Sequence, residues 1–255
     1  MPTMDRLTYI GHATTLLRLD GVSVLTDPML RRWLGPLRRQ GPDPEPDVAE
    51  NSDVVLISHL HRDHLDIPSL RRLPPSTPLV VPRGAARWAA KGGAEDVREI
   101  GLGETVSIAG VEVSGVPAVH NGYRDRHRGG PIEPLGYLVS ADGRTVYFPG
   151  DTDLFPGMSG LGKVDVALLP VWGWGTFAGE GHLDPMRAAR AVEMIRPRLA
   201  VPIHWGTLFP FGLRRLRPQF LTKPPLEFAR QVSRLAPDVE VRVLEPGSTT
   251  ALERE

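Results

Sequence analysis

Apolar positions along this chain fall into short runs and alternations of strand length, separated by Gly, Pro and Asp. Residues 7–10, 15–19 and 22–25 predict three strands, with Asp20-Gly21 as the hairpin turn between the last two. Thr26-Asp27-Pro28 ends that ribbon, and residues 31–46, rich in Arg, Pro and Gly, read as a surface loop. The unbroken run Val54-Val55-Leu56-Ile57 predicts a buried strand. Residues 79–81 predict another strand, and 83–91 a short helix. Two more hairpins are expected: 105–108 with 111–116 around Ala109-Gly110, and 135–140 with 145–148 around Asp142-Gly143. Residues 164–169 and 199–203 are apolar strands of the later half. Asp184 as N-cap and Pro185 in the first turn open a helix that runs to Ile195 and ends before Pro197. Residues 225–235 predict the last main helix. Strands dominate early and alternate with helices later, a pattern that two sheets covered by helices would bury. No repeat or linker divides the chain, so residues 1–255 are expected to form one domain.

The chemistry concentrates where these strands end. Directly after Ile57 comes Ser58-His59-Leu60-His61-Arg62-Asp63-His64, three imidazoles and a carboxylate within six positions. Such a density is costly to hold without a compensating cation, and these are the ligand types of zinc, iron and manganese. Three other expected strands run into a further donor each: His120, Asp151 and His204. A lone His120 or His204 would more commonly be a simple hydrogen-bonded residue. Together, however, five of the eight histidines fall under one scheme. Seven donors exceed what one open site uses and suit two ions sharing a carboxylate.

The ordered set His59-x-His61-x-Asp63-His64, His120, Asp151 and His204 resembles the metallo-β-lactamase fold hydrolases over nearly the whole chain. Gly11-His12-Ala13-Thr14, Leu25-Thr26-Asp27-Pro28 and Pro202-Ile203-His204-Trp205-Gly206-Thr207 are similar to one branch. That branch includes L-ascorbate-6-phosphate lactonase-like and N-acyl-phosphatidylethanolamine phospholipase D-like proteins. The resemblance implies an α/β fold, a four-layer αββα sandwich with the site at one edge of its sheets. It implies that His59, His61 and His120 bind one metal, that Asp63, His64 and His204 bind a second, and that Asp151 bridges them. Zinc is the first choice of metal, with manganese and iron compatible with the same ligands. The implied reaction is attack by a metal-bridging hydroxide on a small-molecule ester, lactone or phosphodiester, with Asp63 and Asp151 in the catalytic centre.

Other residues are singled out less sharply. His182, just before the helix at Asp184-Pro185, matches a histidine that faces substrate in the phospholipase D-like relatives; it would bind the leaving group or protonate it. A loop histidine bonded to backbone is the alternative. For His12 a hydrogen bond behind the ligands and a contact with substrate both fit. Asp27 caps the turn before Pro28 or stands behind a metal-binding histidine. Trp172, Trp174 and Phe177 interleave with glycines and read as a pocket wall or lid. His127 lies in an Arg-rich loop that reads as exposed. Arg214, Arg215 and Arg217 either attract an anionic substrate or form a solvated basic face.

Composition narrows the partners. Thirty basic and thirty acidic residues give zero net charge, which offers no global field for nucleic acid or anionic membrane. A small-molecule substrate is therefore preferred over RNA or DNA. Cysteine is absent, which excludes disulfides and thiolate metal sites and fits a cytoplasmic location. The first residues lack a basic region followed by a long apolar stretch, so no signal peptide is expected. No run approaches the roughly 20 apolar residues of a membrane span, so no membrane insertion is expected. A homo-oligomer is compatible with the sequence. A metal-binding protein without catalysis is a rival that the intact donor set disfavours. A redox di-iron enzyme is another, and His61 weighs against it, because related flavo-di-iron proteins carry a carboxylate there.

Overall fold

The computed structural model describes residues 4–124, 130–172 and 181–253. The first half supplies β1 (Arg6–Gly11), β2 (Thr14–Leu19), β3 (Val22–Thr26), β4 (Trp33–Leu34), β5 (Leu37–Arg39), β6 (Val54–Leu56), β7 (Leu79–Pro82) and β8 (Val97–Ile100). It also supplies short helices α1 (Asp47–Glu50), α2 (Ile67–Leu70) and α3 (Ala86–Lys91). The second half supplies β9 (Thr105–Ile108), β10 (Val111–Pro117), β11 (Leu135–Ala141), β12 (Arg144–Phe148) and β13 (Val166–Pro170). After α4 (Pro185–Ile195) come β14 (Leu199–Ile203), β15 (Leu208–Pro210), α5 (Gln219–Leu235), β16 (Glu240–Val241) and β17 (Ser248–Ala251).

Two seven-stranded sheets result, ordered β17-β1-β2-β3-β6-β7-β8 and β16-β14-β13-β12-β11-β10-β9. Each sheet has an antiparallel hairpin portion and a parallel portion. The hairpin turns follow the expected chemistry: Asp20-Gly21, Ala109-Gly110 and Asp142-Gly143 all have positive φ at both positions, as the tightest hairpin turns require. Strand alternation decides the layers. Val54 and Leu56 of β6 join a core shared with Tyr137, Val139, Phe148 and Leu168 of the second sheet. Val55 and Ile57 face the other way, into a smaller core with Leu70 and Ala89 beside α2 and α3. Ala188 and Val192 of α4 and Phe228 and Val232 of α5 complete the larger core. The fold is the expected αββα sandwich.

Several elements differ from the pattern-based expectation. Residues 31–46 are more than a surface loop: β5 pairs with β4 on one side and β15 on the other in a separate three-stranded sheet. Arg39 is only 4 % exposed, and its guanidinium donates to the carbonyls of Ile10 and Met29. Burial lowers its pKa to about 10. An arginine-rich stretch can thus be interior when backbone carbonyls receive its N–H groups. The last helix starts at Gln219 and carries Pro224 and Pro225 inside it. Leu221, Phe228 and Val232 share one buried face, and that packing outweighs the proline penalty. The strand predicted from 164 starts at Val166, and edge strands β8 and β17 are additional. α4 begins as expected, with Asp184 accepting from Arg187 N at 2.8 Å, and ends on Arg196 in the left-handed conformation, φ 53°. Among the described residues, no helix is long and apolar enough to cross a membrane.

Candidate metal centre

The loops after β1, β3, β6, β10, β12 and β14 meet at one edge of the sandwich. β6 delivers the His59–His64 loop, which folds tightly because His64 N and Leu65 N both donate to His61 O, at 3.1 and 2.8 Å. Gly150 lets the β12 loop close on it. A Cβ there would lie 2.3 Å from Ser58 Cβ, and φ is +61°, so only glycine is accommodated. His12 and His204 also hold positive φ, 61° and 64°, and are joined by His204 N donating to His12 O at 2.7 Å. Such backbone is sparsely populated for histidine and persists where the surroundings over-determine it.

Two groups of donors converge. In the first, His61 Nδ1 lies 3.0 Å from both His59 Nε2 and His120 Nε2, and Asp151 Oδ2 lies 4.0 Å from His120 Nε2. In the second, His64 Nε2 is 3.8 Å from Asp63 Oδ2, and His12 and His204 complete a group whose donor atoms lie within 4.8 Å of one another. Asp151 stands between them, with Oδ2 at 3.3 Å from His64 Nε2 and Oδ1 at 3.2 Å from His204 Nε2.

The donors fit divalent cations on two counts. Nitrogen ligands about 2.0–2.1 Å from a shared tetrahedral zinc sit roughly 3.3 Å apart, near the spacings seen here. His64 Nε2, His204 Nε2 and Asp151 Oδ1 are buried and make no hydrogen bond, although they face one another. Buried polar atoms left so are rare unless an ion or water serves them.

The opposite nitrogen of each of the five histidines is held by an oxygen. His59 Nδ1 meets Ser58 Oγ at 2.9 Å, His61 Nε2 meets Asn121 Oδ1 at 2.9 Å, and His64 Nδ1 meets Asp27 Oδ2 at 2.7 Å. His120 Nδ1 meets Gly181 O at 2.7 Å, and His204 Nδ1 meets Trp172 O at 2.6 Å. Each bond places the ring proton on the outer nitrogen and turns the inner lone pair toward the cluster. Asp27 supports two of them. Ser58 donates to it through N at 2.7 Å and Oγ at 2.5 Å, so the same carboxylate orients His64 directly and His59 through Ser58.

Electrostatics matches this arrangement. Burial lowers His59 well below the usual imidazole range, His120 to about 4 and His204 to about 3, so these rings are neutral donors. For His64 burial acts the same way, but Asp151, Asp63 and Asp27 overcome it and hold the imidazole well above its ordinary value. Burial opposes ionisation of Asp63 and Asp151. Their histidine neighbours, chiefly His64 for Asp63 and His204 for Asp151, nevertheless keep both carboxyls well below the usual range.

The remaining expected residues fall at different distances from the cluster. His182 Nε2 is 3.4 Å from Asp151 Oδ2, with its side chain 22 % exposed. His12 is buried, 3.0 Å from Asp63 Oδ2, with its ring tilted against that of His204 at 3.8 Å between centroids, and it belongs to the second donor group. Trp172 is buried, stacked near Phe209 and Phe220, and reaches the site through its carbonyl. Trp174, Phe177 and His127 lie outside the described residues. Arg214, Arg215 and Arg217 are exposed beyond β15. Asn121, Ser58 and Asp153 are site residues that the motif reading passes over. Asn121 had the signal of adjacency to His120, whereas the carbonyls of Gly181 and Trp172 have no side-chain signature.

Known proteins resemble this chain over most of its length. A metal-dependent hydrolase of Methanopyrus kandleri is 37% identical over 250 residues, covering 96% of this chain and 98% of that one. An N-acyl-phosphatidylethanolamine-hydrolyzing phospholipase D of Caenorhabditis elegans is 30% identical over 230 residues, 80% of this chain and 64% of that one. Among solved structures, a metallo hydrolase of Ignicoccus hospitalis superposes with a TM-score of 0.73 at 27% identity, covering 99% of this chain and 100% of that one. The sequence model of the beta-lactamase superfamily domain matches residues 23–205, from β3 to just past His204, and the chain belongs to that family.

Proposed function

We propose that this protein is a metal-dependent hydrolase holding two divalent ions, zinc first and manganese or iron as alternatives, that acts on a small-molecule ester, lactone or phosphodiester. The observation that carries it is the set of five histidines whose outer nitrogens are all bound to oxygens while the inner ones converge. His59, His61 and His120 hold one ion, Asp63, His64 and His204 the other, and Asp151 lies between them within reach of both groups. Ions bound there supply Lewis acidity and lower the pKa of a coordinated water from about 15.7 toward about 7.

The chain's own groups then divide the work. Asp151 orients the attacking water. Water adds to the carbonyl carbon or phosphorus and gives up a proton to Asp151, the bond to the leaving oxygen breaks, and that oxygen takes a proton in turn. His182 Nε2, partly exposed and 3.4 Å from Asp151, is placed to deliver it. His12 steadies Asp63 from behind. A relative named for phospholipase D activity keeps phosphodiesters among the bonds considered. Zero net charge supports small molecules over nucleic acid. A core running from Leu7 to Leu252 supports one domain over residues 1–255.

The test is a panel of esters, lactones and phosphodiesters on protein loaded separately with zinc, manganese or iron, with metal counted per chain. The expected result is two ions and turnover of one bond class, lost in His61→Ala. Full turnover and unchanged metal content in both His61→Ala and Asp151→Ala would overturn the scheme.

A further inference from the structure

Two residues beyond Asp151 lies a second buried carboxylate that the proposed chemistry does not use. Asp153 is 7 % exposed. Its Oδ1 accepts from Leu154 N at 2.5 Å and its Oδ2 from Gly181 N at 3.2 Å. It forms an ion pair with Arg187 Nη2 of α4. Its own N–H donates to Val119 O at 2.8 Å. Thr152 Oγ1 accepts from Val119 N at 2.9 Å and donates to Asp153 O. Asp151-Thr152-Asp153 is therefore stitched on one side to the residue before His120 and on the other to Gly181.

Gly181 is the point where these bonds reach the centre. Its carbonyl accepts from His120 Nδ1 at 2.7 Å, and the next residue is His182. Its φ is +92°, and a Cβ there would stand 3.1 Å from His120 Nδ1, so backbone and ring are in close approach. The rings of His120 and His182 lie 4.6 Å apart, edge to face. A buried carboxylate is expensive unless charge and N–H groups compensate it. Asp153 has both, and they come from two segments that the centre needs in register.

We propose that Asp153 is a positioning residue: clamped by Arg187, it holds Gly181 so that the Gly181 carbonyl orients His120 and His182 is presented to Asp151. The proposal rests on the two-ion hydrolase reading and extends it to a residue outside the donor set. A purely structural role, stapling the start of α4, predicts loss of stability alone.

The experiment compares Asp153→Ala, Asp153→Asn and Arg187→Ala with the wild type by melting temperature, metal affinity in competition with a chromophoric chelator, and kcat and KM separately. The cobalt(II)-loaded spectrum reports the ligand field directly. Removing such supporting partners typically costs about 10–100-fold in metal affinity or activity, so Asp153→Ala should weaken one ion by that factor and shift the cobalt bands. It should lower kcat more than it raises KM. Asp153→Asn, which keeps an oxygen for Gly181 N, should recover most of both. In the background of His182→Ala, adding Asp153→Ala should lower kcat less than it does alone, because part of its effect is already lost. Should Asp153→Ala fail to fold, Arg187→Ala carries the same comparison with the same expected direction. Wild-type metal affinity, cobalt spectrum and kcat in a folded Asp153→Ala or Arg187→Ala variant would overturn the proposal, as would a loss that Asn does not rescue. Failure of the underlying reading shows separately, as wild-type protein that binds fewer than two ions or hydrolyses nothing in the panel.

Discussion

The two halves of the centre hold similar donors in different surroundings. His59, His61 and His120 are backed by neutral groups: a serine hydroxyl, an asparagine amide and a backbone carbonyl. His61 is partly open to solvent, whereas the His120 side chain is buried. The other half is deeper, with Asp63 alone partly exposed. His64 is fully buried and has three carboxylates around it, Asp27 directly behind and Asp63 and Asp151 in front. His12 and His204, both buried, close that side. Neutral rings backed by neutral partners can persist without a cation, whereas several buried carboxylates need positive charge nearby. The buried half should therefore bind its ion more tightly and depend on it more for stability. The open half should exchange its ion more readily and face the substrate.

Asp151→Ala is the most severe way to break this comparison, because it touches both halves at once. It should reduce turnover by more than about a thousandfold, the scale of removing a group that acts as part of a catalytic unit. Metal content should fall below one per chain, whereas His61→Ala should lose only the ion of the open half. Equal metal loss in the two variants would show that the halves are not independent. Chelation tests the difference in affinity. Titration with a chelator should remove ions in two steps, the first with little change in melting temperature and the second with a large one. Ligand at 100 times its dissociation constant stabilises a fold by about 2.7 kcal/mol, so the second step should cost at least that much. A single step accompanied by the whole loss of stability would erase the distinction.

Asp27 sharpens it further. Asp27→Asn keeps the shape but removes the charge behind His64 and the acceptor pair for Ser58. A loss of about 10–100-fold in affinity is expected for the buried ion. A smaller loss is expected for the open one, which feels Asp27 only through Ser58 and His59. Metal-specific affinities from competition titrations would show the ratio.

The legible and the hidden parts of this molecule divide along chemical lines. All the donors singled out at strand ends meet in one cluster, because each follows an apolar run whose alternation leaves little freedom in where the strand stops. Val54 to Ile57 illustrates it: the four residues alternate between two cores and leave His59 at the edge. What stayed hidden depends on backbone. The carbonyls of Trp172 and Gly181 orient His204 and His120 without any side-chain mark, and only three dimensions bring them there. Arg39 concealed a small sheet because an arginine pattern reads as exposed until two carbonyls are found to receive it. Pro224 and Pro225 concealed the first turns of α5 for a similar reason, since burial of one helix face is invisible to a local breaker rule.

The smallest expected effect isolates hydrogen bonding from ligation within the buried half. His12 Nε2 sits 3.0 Å from Asp63 Oδ2, and its ring packs tilted against His204, so two roles are open to it, steadying a ligand or serving as one. If it only steadies Asp63, His12→Gln should keep much of that contact through its side-chain amide and lose under about tenfold in affinity for the buried ion, the lower edge of what such supporting partners contribute. His12→Ala should lose somewhat more and also lower the melting temperature, because it empties a site 3 % exposed against His204. Neither variant should change the affinity of the open half. If His12 is itself a donor, the glutamine variant falls as far as the alanine one, and the buried half, already richer in carboxylates, gains a further ligand as the source of its tighter binding.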